Sequence, residues 1–170
     1  MVGLFSLGNS SDMFLVLRTQ GAGISPLQAP LLGLVFNITY TAFSWPAGKL
    51  SDRVSRHGMV AAGYAVFAVV YLVFASAPSR AALWAMMSFY GLYYALTNPV
   101  LRALVVDTAP KEARGRAFGI FYFVTSVAAL LSSVVTGELW KYFGPQLPLR
   151  LSAALAAVSA LLLLAPRLRR

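Results

Sequence analysis

Apolar runs long enough to cross a bilayer recur six times along these 170 residues, separated by short polar or charged breaks. They cover about residues 2–19, 28–47, 59–76, 81–106, 116–136 and 149–165. A helix of roughly 17–25 apolar residues matches the hydrocarbon thickness of a membrane. Lipid offers no hydrogen-bond partner to a backbone amide, so a spanning segment must satisfy its amides internally. The runs are too long and too little alternating for barrel strands. The sequence therefore predicts an all-α integral membrane protein in which six transmembrane helices form one bundle over residues 1–170. A hydrophobic share of 59% agrees, because a soluble domain of this size needs more polar cover.

The residue inventory removes several classes of chemistry. There is no cysteine, which excludes disulfides and thiolate metal sites. The single histidine, His57, falls between two runs, so no span brings a histidine to a serine or to a second metal ligand. No cofactor and no metal are expected, and a membrane-embedded enzyme is disfavoured. The net charge of +9 could suggest nucleic acid in a soluble protein. Here the cationic residues flank the apolar runs, so they read as a topology signal and not as a nucleic-acid surface.

Six crossings allow the fourteen lysines and arginines to be assigned to two sides. Lys49, Arg53, Arg56, Arg102, Lys111, Arg114, Arg116, Arg167, Arg169 and Arg170 fall on one, and Arg18, Arg80, Lys141 and Arg150 on the other. The excess of cationic residues on cytoplasmic loops places the ten-residue side, with both termini, in the cytoplasm.

The runs differ in polarity. The first carries Asn9, Ser10, Ser11 and Asp12, and the fourth carries Tyr90, Tyr93, Tyr94, Thr97 and Asn98. In the second, Gly33, Asn37, Tyr40, Thr41 and Ser44 share a helical stripe. The third and sixth are nearly bare of polar groups, which predicts the first and fourth helices innermost and the third and sixth outermost. A polarity pattern of period three suggests two inverted three-helix repeats, residues 1–76 and 81–170. A weak echo accompanies it: Gly48-x-Leu50 recurs as Gly137-x-Leu139, at the offset that pairs Asn9 with Asn98.

Residues 48–58, GKLSDRVSRHG, concentrate charge in a chain that is only 11% charged. Positive-inside bias explains Lys49, Arg53 and Arg56 but not Asp52 among them. Asp52 can face a helix N-terminus or an arginine, and Arg53 and Arg56 can meet helix C-termini, Asp107, Glu112 or lipid phosphate. This stretch resembles the cytoplasmic signature of the major facilitator superfamily, Gly-x-Leu-small-Asp-Arg-x-Gly-Arg-basic. Gly48, Leu50, Ser51, Asp52, Arg53, Arg56 and His57 match it, and Ser55 stands where glycine is usual. Residues 110–119, PKEARGRAFG, are similar to the loop before the fifth helix of each half in that family. The opening segment FSLGNSSDMFLVLR resembles the first helix of the C-terminal half in bacterial members. The resemblance covers the whole chain and implies one six-helix half of a twelve-helix transporter, the C-terminal one, in a bacterial inner membrane. It also implies a gating role for Gly48, Leu50, Asp52, Arg53, Arg56, Arg114 and Gly115. A charge cluster that forms in only one access state biases it by roughly 1–3 kcal/mol.

The candidate solute or ion path comprises Asn9, Asp12, Asn37, Tyr40, Tyr90, Tyr94, Thr97 and Asn98. Asp12 is the lone carboxylate deep in a run, able to bind a proton or cation or to pair with a cationic substrate. It could equally be a structural carboxylate held by Asn9, Ser10 or Ser11. The tyrosines offer apolar area with a polar tip, suited to amphipathic organic molecules, or else to helix packing. Pro46 is expected to end the second helix and Pro99 to bend the fourth; Gly115 and Gly119 could allow close helix contact. The predicted function is half of a secondary transporter moving a small organic solute by alternating access, coupled to an ion or proton. Its partners are lipid, the solute, and either a missing N-terminal half or a second copy. The alternative is a stand-alone half acting as a homodimer or as a non-transporting interaction module.

Overall fold

A computed structural model describes residues 2–76 and 79–165, and the described residues are helical apart from short connections. The helices are α1 (Val2–Gly8), α2 (Met13–Gly21), α3 (Ala29–Ser51), α4 (Arg56–Ala75), α5 (Arg80–Thr108), α6 (Arg114–Phe143) and α7 (Gln146–Leu164). Single 3₁₀ turns at Pro26–Gln28 and Lys111–Ala113 lead into α3 and α6. Arg167, Arg169 and Arg170 of the charge count lie outside the described residues.

Among the described residues, three segments are long and apolar enough to cross a membrane: Arg56–Ala75, Lys111–Phe143 and Gln146–Leu164. The runs differ in apolarity, as their polar content leads one to expect. Helices α3 and α5, at 23 and 29 residues, have the length but carry polar side chains. The first run is not one helix. It breaks at Asn9–Asp12, where four consecutive short polar side chains compete with the backbone for hydrogen bonds. The amide of Ser11, freed from any helix, donates to Ser133 Oγ on α6 at 3.0 Å.

Within the described residues the third run does not take the outer layer expected of it. The third run, α4, sits at the heart of the bundle, with eleven of its twenty residues buried, among them Tyr64, Phe67, Tyr71 and Phe74. It packs on α5 and α7, while α3 packs on α5, and α1 on α6 and α7. Apolarity reports compatibility with lipid but also with a protein interior, and α4 meets the second. Its close contacts depend on small residues. A Cβ on Gly63 would lie 2.5 Å from Thr97 Cγ2 of α5, and one on Gly91 would lie 2.5 Å from the Phe36 carbonyl oxygen of α3. Gly115 and Gly119 have open space around them and make no such contact within the described residues. Pro46 does not end its helix: α3 continues through it to Ser51.

Candidate functional site

Two clusters of ionisable side chains emerge, one at the helix break and one at the α3–α4 turn. At the break, Asp12 takes the N-cap position of α2, yet its carboxylate does not turn back to cap that helix. It reaches across to α5 instead. The Tyr90 hydroxyl donates to Asp12 Oδ1 at 2.6 Å, and the Tyr94 hydroxyl donates to Oδ2 at 3.0 Å. Tyr90 is buried and Tyr94 half-buried, one helical turn apart on the face of α5 that meets the break. Gly91 between them lets α3 approach, which sets the Phe36 ring 5.0 Å from that of Tyr94 and 5.7 Å from that of Tyr90.

Asp12 lies in the wall between two cavities. One of about 620 Å³ separates the break from α6 and is lined by Asn9, Ser10, Ser11, Tyr94 and Ser133. The other, of about 450 Å³, lies between α2, α3 and α5 and is apolar except at Asp12 and Tyr90. Asn9 Oδ1 and Ser10 Oγ beside the break are buried without a partner among the described residues. A carboxylate has about four lone-pair directions, so two tyrosine hydroxyls leave acceptor capacity toward both cavities.

The remaining path candidates are dispersed. Tyr40 joins the edge of the cluster, its ring 5.9 Å from that of Tyr94. Asn37 is exposed and its amide donates to Gly33 O of its own helix at 2.8 Å. Thr97 is buried against Gly63 with its hydroxyl donating to Tyr93 O at 2.8 Å, and Asn98 is half-buried a turn beyond Tyr94. Ser133 and Phe36 complete the site without having stood out in the sequence. A serine or phenylalanine in an apolar helix carries no distinguishing signal, although the glycine at position 91 marks a close approach.

At the α3–α4 turn, Arg56 is shared by two carboxylates. It forms an ion pair with Asp107 in the last turn of α5 and lies 3.7 Å from Asp52 Oδ1. The turn before α4 and the end of α5 are thereby drawn together. Ser55 explains its own place there. Its backbone (φ −60°) is outside the left-handed region that would call for glycine, and its Oγ accepts the Gly58 N–H at 3.3 Å as the N-cap of α4. Leu50 and Arg53 are exposed, Arg114 is half-buried, and a Cβ on Gly48 or Gly115 would meet open space. The opposite end of α4 is tied by Arg18, whose Nε donates to Phe74 O at 3.0 Å.

Comparison with known proteins agrees along the full chain. The family model described as Major Facilitator Superfamily matches residues 1–170. The chain is 36% identical over 170 residues to an uncharacterized MFS-type transporter of Methanocaldococcus jannaschii, which covers 95% of this chain and 42% of that protein. It is 32% identical over 120 residues to the vesicular acetylcholine transporter of Rattus norvegicus, covering 70% of this chain and 23% of the relative. It is 28% identical over 133 residues to the inner membrane transport protein YajR of Escherichia coli, covering 73% and 28%. The chain spans less than half the length of these relatives.

Proposed function

The chain belongs to the major facilitator superfamily, whose members are integral membrane transporters, and from that premise we propose that it forms one six-helix half of a secondary active transporter. In this reading it moves a small organic solute by alternating access, coupled to a proton or ion, with a second six-helix bundle facing it. The six crossings count the broken α1–α2 segment as one, and the α3–α4 turn and both termini lie in the cytoplasm of a bacterial inner membrane. Two inverted repeats are favoured by the pattern of helix packing. Exchanging the first three crossings for the last three turns the α3–α5 contact into α6–α1, turns α4–α5 into α7–α1, and returns α4–α7 to itself.

The observation that carries the reading is the broken helix with Asp12 at its gap. Non-helical backbone at membrane depth is tolerated where it is buried in protein or lines a cavity, and an ionisable residue there marks a solute or ion path. Asn9, Asp12, Tyr90 and Tyr94 line that path, with Tyr40 at its edge. Thr97 packs against Gly63, and Asn37 is bonded within its own helix, so neither is counted in the path. The Asp52–Arg56–Asp107 cluster serves as a cytoplasmic latch, made in one access state and broken in another. The test is uptake by the full-length protein in proteoliposomes under imposed proton and sodium gradients, across a panel of organic solutes. Gradient-driven accumulation that collapses on adding an ionophore is expected. Solute fluxes equal to those of protein-free vesicles throughout would contradict the proposal.

A further inference from the structure

We propose that the cavity between α2, α3 and α5 binds an organic monocation, its ammonium group against Asp12 and its apolar body among Met13, Phe36, Met87 and Tyr90. The inference rests on Asp12 lining the solute path and specifies the chemistry that the path accepts.

The first argument is charge. Asp12 is held by two hydroxyls, and among the described residues no lysine or arginine pairs with it; the ion pairs found there both belong to Arg56. A half-buried carboxylate with no counter-charge beside it leaves the site with charge to be completed by a ligand that brings one. The second is the lining. The cavity of about 450 Å³ falls in the range of small-molecule sites. It presents two methionine side chains and the rings of Phe36 and Tyr90, with polar atoms confined to the Asp12 end. Aromatic faces beside a carboxylate attract a cation by their quadrupoles, and methionine adapts to varied apolar shapes. The third is what the lining lacks. Among the described residues no cationic side chain borders the cavity, so an anion would enter against Asp12 with none of them to hold it. A neutral solute would gain the apolar contacts but leave the carboxylate unpaired.

The probes are phenylbutylamine, protonated at neutral pH, and phenylbutanol, of nearly the same shape without the charge. Binding of each to the purified full-length protein in detergent is measured by calorimetry, for the native protein, Asp12→Asn and Asp12→Glu. Size-exclusion profiles establish that each variant is folded. The amine should bind about tenfold tighter than the alcohol, a difference of about 1.4 kcal/mol. Asp12→Asn should abolish that preference, and Asp12→Glu should retain it. Equal affinities in the native protein, a preference that survives Asp12→Asn, or no binding of either probe would each overturn the proposal. Failure here alongside gradient-driven uptake of a neutral or anionic solute would sink the cation site and leave the transporter reading standing. Charge-selective binding with no uptake of any solute would do the reverse.

Discussion

The two carboxylate clusters of this molecule are opposites in nearly every physical respect. Asp52 and Asp107 are exposed, on average more than half open to solvent, and share the guanidinium of Arg56. Asp12 is half-buried in a helix break, held by tyrosine hydroxyls alone, with no cation beside it among the described residues. Exposed pairs of the first kind contribute at most about 1 kcal/mol, because water screens them whether or not they form. Such contacts are cheap to make and break, which suits a switch. A carboxylate of the second kind cannot be discarded cheaply into lipid and has no substitute for its donors. It suits a binding site whose charge is completed by what binds. On the proposed reading, the difference separates a place that holds a ligand from a place that controls conformation.

That contrast can be broken by mutation, beginning at Asp12. Asp12→Asn in the full-length protein should lower uptake by about tenfold or more, with normal expression, since the site rather than the fold loses its charge. An unaltered rate would move Asp12 to a structural role. Next in size, Tyr90→Phe should cost more than Tyr94→Phe. Tyr90 is buried with the shorter bond to Asp12, so its loss strips a donor that water cannot replace, by about 1–3 kcal/mol in substrate affinity. Equal effects would mean that the break is wetter than its packing implies.

At the other cluster, Asp52→Asn and Asp107→Asn should each change uptake only a few-fold, with the loss shrinking as salt is raised. A double-mutant cycle between Arg56 and Asp107 should report a coupling of about 0.2–1 kcal/mol. A larger, salt-independent coupling would make this a structural strut and not a latch. The smallest effect belongs to Ser55. Ser55→Gly should alter thermal stability by a few tenths of a kcal/mol and Ser55→Ala by about 1 kcal/mol, because a cap is lost and no left-handed turn is at stake. A gain in stability for Ser55→Gly would show that the turn does want glycine.

How much of this was legible in the sequence depended on whether the signal was local. The signature stretch and the helical class were readable because charge and apolar length are properties of consecutive residues. Arg56 meeting Asp107 was one of several partners available to it, and only the fold selects among them. The break at Asn9–Asp12 was visible as four polar residues, but an apolar run on either side made one continuous helix the simpler reading. Layering was not legible. Helices α4 and α6 are alike in apolarity, yet eleven of twenty residues are buried in α4 and three of thirty in α6. Hydropathy scores the side chain and is blind to whether its neighbour is lipid or another helix. Glycine spacing did not reveal the contacts either: Gly63 and Gly91, which sit at the close contacts of α4 and α3 with α5, follow no motif, while Gly115 and Gly119, spaced like a packing motif, face open space.

The most direct test compares Asp12→Asn with Asp52→Asn in the same proteoliposomes, following amine binding and uptake together. Asp12→Asn should lose charge-selective binding and transport at once, whereas Asp52→Asn should keep binding intact and slow transport only a few-fold. Loss of amine selectivity in Asp52→Asn with Asp12→Asn unaffected would contradict the assignment of ligand binding to the helix break.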